Sequence, residues 1–316
     1  MFLIRALVGF CFAIGLGGAA ADEKECAWSD VERIVAVGDV HGDYGQFVRA
    51  LRLGKVIDEA EEWAGGRTHL VQIGDVLDRG PDSRRSMDLL MKLEGQAGKA
   101  GGRVHALIGN HEALILAGQR RYQTAAGLAS FGGLEGLRKA MEPDGTYGRW
   151  IRGHNAVIRI NEILFAHGGL APGYAGKPLK EINDGIRGGL GRDSGDFSGP
   201  LWYRGLAEGR EDALEKQLKP VLEGVGAARI IVGHTVAKGG IAVRGGGLVV
   251  MIDVGMSRVY KGPAACLVIE RGKYTAVYAD GARELPVRAA KGGKPSGFRG
   301  PLPRPVVGPG CLPLAS

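Results

Sequence analysis

Five short runs rich in branched apolar residues punctuate this chain, and each ends in a cluster of glycine, acid, amide or imidazole. They are "RIVAVGDVHGD" (33–43), "HLVQIGDVLDRG" (69–80), "VHALIGNHE" (104–112), "EILFAHGG" (162–169) and "RIIVGHT" (229–235). Runs that are apolar at nearly every position suit strands buried on both faces, and such strands belong to layered α/β folds. In open α/β sheets, ligand groups collect beyond the carboxyl ends of the strands. Gly38, Gly74, Gly109 and Gly233 directly precede the first polar residue of their tips, where glycine permits tight turns and close backbone approach.

Two later runs, "LVVMI" (248–252) and "ACLVIE" (265–270), have short connections that look antiparallel. A mixed sheet or two sheets is therefore expected. Helical patterns cover Tyr44–Leu53, Ser83–Gly95 and Ala213–Glu223. The stretch 118–150 has weak helical periodicity broken by glycine. It reads as a small helical cap over the site or, equally, as an ordinary crossover helix with loops.

Asp39, His41, Asp75, Asn110, His167 and His234 form a donor set of oxygen and imidazole without thiolate, suited to divalent Mn, Fe or Zn. Taken singly, an Asp after a strand is a helix cap and a His is a satisfied structural group. Five such tips, all after apolar runs, make coincidence a poor explanation. Two cations about 3.5 to 4 Å apart would clamp an in-line displacement at phosphorus. Other polar residues read more plainly. Asp43 and Glu112 fit caps or supporting hydrogen bonds, and Asp82 a helix start. Arg84 and Arg85 suit a solvated helix face, while His69, His105 and His154 are structural. Tyr203 either lines the pocket or packs, and Asp253 is a candidate strand-end carboxylate facing the site.

The ends are of different character. Residues 1–21, with Arg5, a short apolar stretch and an A-x-A site near Ala19–Ala21, read as a secretory signal, which predicts export to a periplasm or the exterior and no stable membrane insertion after cleavage. The stretch 285–316, rich in Pro, Gly and basic residues, reads as a disordered tail beyond a domain spanning 30–282. The net charge is +7; removing the tail's +5 and Arg5 leaves a body near neutrality, so no bulk basic footprint for nucleic acid exists. Without the leader, Cys26, Cys266 and Cys311 allow one disulfide of unspecified pairing and one spare thiol.

The ordered series "GDVHG", "GDVLDRG", "GNHE", "HGGL" and "GHT" resembles the calcineurin-like metallophosphoesterase superfamily. Its "DRG" and "GNHE" forms resemble the phosphoprotein phosphatase branch. "LWYRG" (201–205) and "VVMIDVGMSRVYKG" (249–262) are similar to the Shewanella-like protein phosphatase group. The likeness covers roughly residues 33–270 and is far more specific for fold and chemistry than for substrate. It implies an α/β sandwich of two mixed β-sheets flanked by helices, with a dinuclear metal site at the strand C-terminal ends. Asp39 and His41 would hold one of two divalent ions, Asp75 would bridge, and Asn110, His167 and His234 would hold the second. "GHTV" lacks a second His two residues after His234, as in the phosphoprotein phosphatases.

The implied reaction is direct attack of a metal-bridging hydroxide on a phosphomonoester. His111 would protonate the leaving oxygen, Asp78 would orient that imidazole, and Arg79 and Arg204 would clamp phosphate oxygens beside Asn110. The expected substrate is a phosphorylated protein or peptide, on Ser/Thr, Tyr or both. A small-molecule or dinucleoside polyphosphate phosphoesterase is the first alternative, and a non-catalytic binding module is the alternative of another class; export weakens both the phosphoprotein and the dinucleotide readings and favours phosphate scavenging. A nuclease is a minor option on the near-neutral body.

Overall fold

Unbroken apolar runs have no solvent face, so the strands they form must be covered on both sides. The computed structural model describes residues 26–192 and 198–287. The predicted leader, nearly all of the predicted tail and Cys311 lie outside the described residues. In chain order the strands are β1 (Ala27–Trp28), β2 (Arg33–Val37), β3 (His69–Gln72), β4 (Arg103–Ala106), β5 (Val157–Ile160), β6 (Ile163–Ala166), β7 (Arg229–Val232), β8 (Ala242–Arg244), β9 (Val249–Met251), β10 (Ala265–Glu270), β11 (Lys273–Tyr278) and β12 (Gly281–Glu284). The helices are α1 (Tyr44–Leu53), α2 (Ser83–Lys99), α3 (Asn110–Leu116), α4 (Ala125–Ser130), α5 (Leu134–Met141), α6 (Thr146–Arg152), α7 (Leu179–Gly189), α8 (Gly205–Glu208) and α9 (Glu211–Gly224).

Two six-stranded mixed sheets result, as expected. One runs β12-β11-β10-β2-β3-β4, with β2, β3 and β4 parallel and β10 antiparallel to β2. The other runs β1-β5-β6-β7-β9-β8, with β6, β7 and β9 parallel. Each sheet thus directs three parallel strands toward one end. Val35–Val37 of β2, Leu164–Ala166 of β6 and Ile230–Val232 of β7 are fully buried, and one contiguous apolar core takes in residues of both sheets and the helices. Among the described residues, no helix is long and apolar enough to cross a membrane.

Several boundaries move. Helix α2 extends past Gly95 to Lys99 because Met87, Leu90, Leu93 and Ala97 continue one buried stripe, and a continuous apolar face outweighs the local cost of glycine. Asp82 stands at the start of α2, but its side chain makes no capping bond. The stretch 118–150 holds α4, α5 and most of α6, tied to α2 by polar contacts: Arg84 reaches Tyr147 and the Ser130 carbonyl, and Trp150 donates to Glu94. Cys26 and Cys266 are free thiols, in front of β1 of one sheet and within β10 of the other, so of the pairings left open Cys26–Cys266 is not formed.

Helix α7 is fastened to β5 through Asn183, which is 1% exposed. Its Oδ1 accepts from the Ala156 and Val157 amides at 2.8 and 3.0 Å, and its Nδ2 donates to the Val157 carbonyl at 2.8 Å. Alanine there would strand three buried backbone groups, each worth about 1–3 kcal/mol when unsatisfied. We expect Asn183→Ala to lower stability by about 2–4 kcal/mol, partial hydration of the gap offsetting some of the loss. The urea unfolding midpoint measures this, and an unmoved midpoint would contradict the fastening role.

Candidate active site

The six inward-directed strands bring their carboxyl ends together. Asp39 and His41 follow β2, Asp75 and Asp78 follow β3, and Asn110 and His111 open α3 just after β4. From the facing sheet, His167 follows β6, His234 follows β7 and Asp253 follows β9. Such crowding requires glycine. A Cβ on Gly74, whose φ is +103°, would stand 2.6 Å from the Gly109 amide nitrogen and 2.9 Å from His167 Nδ1. A Cβ on Gly233 would stand 2.5 Å from Asp39 Oδ1. Real Cβ contacts essentially never fall below 3.0 Å, so glycine at these points lets one tip touch the next.

Backbone strain concentrates at the same place. His41, Asp75, Asp78, Arg79 and His234 have φ of +46°, +55°, +70°, +63° and +63°, in the left-handed region that side-chain-bearing residues enter at a cost. Buried polar side chains hold these turns. Gln72 donates to the Gly74 carbonyl at 2.7 Å and to the Gly38 carbonyl at 3.3 Å, and accepts from the Gly74 amide at 3.1 Å. Glu112 accepts from the amides of Asp75, Val76 and Gly109 at 2.8, 2.9 and 2.8 Å, which ties the tip of β3 to the start of α3. Between sheets, the His234 amide donates to Asp39 at 3.1 Å.

The histidines are prepared for a cation. His167 Nδ1 lies 3.0 Å from the Ile73 carbonyl and must donate there, which turns Nε2 toward Asn110 Oδ1 at 2.9 Å and Asp75 Oδ2 at 3.3 Å. His41 Nδ1 faces the Leu77 carbonyl at 3.3 Å, which leaves Nε2 3.7 Å from Asp75 and 3.9 Å from Asp39. A backbone carbonyl behind the imidazole is the usual way in which a metal-ligating histidine is oriented. The buried His234 Nε2 has no hydrogen-bond partner. Two groups, His41–Asp75–His111 and Asp75–His167–His234, each bring their ligand atoms within 4.8 Å of one another, and Asp75 belongs to both.

Electrostatics point the same way. Asp39, Asp75, Glu112 and Asp253 are all buried in one region. Burial, followed by the charges of Asp253 and Asp75, holds Asp39 well above the usual carboxylate range. Burial and Asp75 push Glu112 up to about 7, and burial pushes Asp253 up to about 6 with Asp75 adding to it. Burial alone would also raise Asp75, but His167, His111 and His41 outweigh it and hold that carboxyl well below its ordinary value. Burial lowers His41 and His234 to about 3, which leaves them neutral and able to coordinate. This donor set fits divalent cations, whose charge would relieve the repulsion among the acids.

Beside these groups stands a proton-handling pair. His111 Nδ1 donates to Asp78 Oδ2 at 2.6 Å, and Gln123 donates to the other oxygen of that carboxylate. Burial opposes charge on His111, but Asp75 and Asp78 outweigh it and raise its pKa. Arg79 comes within 3.4 Å of His111 Nε2, with the rings of Tyr122 and Tyr260 at 4.7 and 5.4 Å from its guanidinium carbon. Arg204 is anchored at the other edge, where it donates to the His234 carbonyl at 3.1 Å and to Thr235 Oγ1 at 2.8 Å.

The structure therefore brings together Asp39, His41, Asp75, Asp78, Arg79, Asn110, His111, His167, Arg204 and His234. Asp43 caps α1 by accepting from the Gln46 amide. Arg84 and Arg85 are exposed on α2. His69 and His105 pair with each other at 3.1 Å, and His154 lies against Glu94 at 3.2 Å. Tyr122 and Gln123 escape notice in the sequence because no glycine–acid or glycine–imidazole tip marks them, and Tyr260, though inside the stretch 249–262, is not singled out by it. Asp253 was visible only as the acid after an apolar run.

A family model described as calcineurin-like phosphoesterase matches residues 32–238. Shewanella-like protein phosphatase 2 of Arabidopsis thaliana is 31% identical over 281 residues, which covers 72% of this chain and 72% of that protein. An uncharacterized protein of Schizosaccharomyces pombe is 33% identical over 257 residues, which covers 75% of this chain and 77% of its own. Among solved structures, the cold-active protein-tyrosine phosphatase of a psychrophilic Shewanella species superposes with a TM-score of 0.73 at 27% identity, over 82% of each chain.

Relief of repulsion among buried acids makes stability depend on metal. A cation at a thousand times its dissociation constant stabilises by about 4 kcal/mol, so Mn²⁺ should raise the melting temperature and a chelator should lower it. Asp75→Asn, which removes the carboxylate shared by both groups, should abolish most of that rise. Differential scanning fluorimetry with and without Mn²⁺ checks this; a full metal-dependent shift in Asp75→Asn would contradict it.

Proposed function

The chain belongs to the calcineurin-like phosphoesterase family and is a metal-binding hydrolase, and from that premise we propose that it removes phosphate from phosphorylated side chains of proteins or peptides. The observation that carries the reading is the pair of His–Asp groups sharing Asp75, with His111, Asp78 and Arg79 alongside. The protein phosphatase names of the Arabidopsis and Shewanella relatives support the substrate class.

In this reading Asp39, His41 and Asp75 would hold one divalent ion and Asp75, Asn110, His167 and His234 a second, the ions being Mn, Fe or Zn. When bound, such ions supply Lewis acidity, lowering the pKa of water and drawing charge from phosphoryl oxygens. Arg79 and Arg204 bind the phosphate, since a guanidinium fork matches two phosphate oxygens at once. His111, whose pKa is raised by Asp75 and Asp78 and whose Nε2 lies beside Arg79, gives a proton to the leaving oxygen. Asp78 keeps Nδ1 protonated and stabilises the imidazolium, and the bond from Gln123 stops that carboxylate from turning away. Burial of His111 and Asp78 excludes bulk water from the proton path.

His111→Asn should lower kcat by about 10²–10⁴-fold, the usual contribution of a positioned acid, with metal content unchanged by elemental analysis. Undiminished turnover would remove His111 from the mechanism. Substrate class is tested with Mn²⁺ on phosphotyrosine, phosphoserine and phosphothreonine peptides, a dinucleoside polyphosphate and p-nitrophenyl phosphate. Peptide kcat/KM well above that for the dinucleotide is expected, and the reverse order would replace the protein substrate with a small molecule.

A further inference from the structure

Two segments far apart in sequence meet at Arg79. Residues 118–124 ("GQRRYQT") bring Tyr122, whose ring centre lies 4.7 Å from that of His111. Residues 254–262 ("VGMSRVYKG") bring Tyr260, whose ring centre lies 5.8 Å from that of His41. Both tyrosines stand against the Arg79 guanidinium, so the residues next to them form the rim of the site. Those neighbours are exposed cations: Arg120 and Arg121 beside Tyr122, and Arg258 and Lys261 around Tyr260. Neither segment contains an acid.

This concentration does not follow from general basicity, because the body between leader and tail is close to neutral. Several cations elsewhere on the surface are matched by neighbouring acids. Arg138 pairs with Glu135 and Glu142, Lys180 with Asp184, Arg210 with Asp212 and Lys92 with Glu62. On the rim, Arg121 stacks on Tyr122 at 5.3 Å. Arg258 lies 3.5 Å from Asp43, yet its side chain stays 78% exposed while that carboxylate is buried as the cap of α1. The second segment is also pinned: the Arg258 amide donates to Asp43 at 3.0 Å and the Gly262 amide to the Gly255 carbonyl at 2.8 Å. Its charges are therefore presented from a fixed backbone.

We infer that this rim selects phosphorylated residues set in acidic sequence. The phosphate enters toward Arg79 while Asp or Glu side chains flanking it in the substrate peptide lie against Arg120, Arg121, Arg258 and Lys261. The inference rests on the phosphatase reading and adds its substrate class. Exposed ion pairs are individually weak and screened by salt, so the selectivity is a sum of small contributions that fades as ionic strength rises.

The test compares phosphopeptides identical except for flanking Glu, Ala or Lys, with p-nitrophenyl phosphate as a probe that has no flanks. With the full chain and Mn²⁺ at low salt, kcat/KM should be roughly tenfold higher for the Glu peptide than for the Ala peptide, the gap closing in high salt. Arg120→Glu/Arg121→Glu and Arg258→Gln/Lys261→Glu should each erode that preference while leaving p-nitrophenyl phosphate turnover unchanged. Equal kcat/KM for Glu and Ala peptides, or a preference that survives both double variants, would overturn the inference while the phosphatase reading stands. If the wild type hydrolysed none of these substrates, the phosphatase reading would fall, and fluorescence anisotropy with the same peptides would judge the rim alone: equal affinity for Glu and Ala peptides would overturn it.

Discussion

The Asp75 carboxylate is the point on which this architecture depends. It is 2% exposed and lies within 4 Å of ring nitrogens on His41, His111 and His167. Removed from water, such a charge would be costly, and histidines from both sheets converge on it to make it tolerable. The parallel strands on either side must therefore end at one place, and the turns after them must bend sharply enough to bring their side chains inward. The left-handed backbone of His41, Asp75, Asp78, Arg79 and His234 is the conformational cost of that convergence.

What offsets the cost is a hydrogen-bonded frame that never needs to touch a substrate. Gln72 joins the tips of β2 and β3, and Glu112 joins β3 to α3. Their partners are backbone groups that would otherwise be buried without satisfaction. The frame also separates two kinds of chemistry within a few ångströms. Burial keeps His41 and His234 as neutral imidazoles, whereas Asp78 and Asp75 favour the charged form of His111. Identical side chains thus acquire different work from their surroundings alone.

Much of this was legible in the sequence because the relevant residues sit next to strong signals. Apolar runs announced β2, β3, β6 and β7 nearly to the residue, and the glycine before each acid or imidazole marked where the chain would turn. The run "ACLVIE" proved to be β10 to the residue, antiparallel to β2, and it joins the N-terminal strands to β11. The end of α2 was harder to place, since Gly95 and Gly98 are poor helix formers and only burial of Leu93 and Ala97 carries the helix through. Tyr122 and Gln123 were not legible at all, and Tyr260 lay inside the stretch 249–262 without anything to single it out. They reach the site through loop geometry, and an isolated aromatic or amide in a polar loop carries no periodicity. The link from Asn183 to β5 was hidden for the same reason, since one polar residue on a helix does not declare which backbone it will meet.

Because β2, β3 and β4 lie in one sheet and β6, β7 and β9 in the other, the cluster around Asp75 is divided between early and late portions of the polypeptide. A chain emerging from the ribosome carries Asp39, His41, Asp75 and Asn110 long before His234 and Asp253 are made, and β10, which pairs with β2, comes later still. The whole centre cannot exist until the strands that carry His234 and Asp253, and β10 beyond them, have been made. A chain that has made only β2, β3 and β4 carries acids and histidines whose companions in the other sheet do not yet exist.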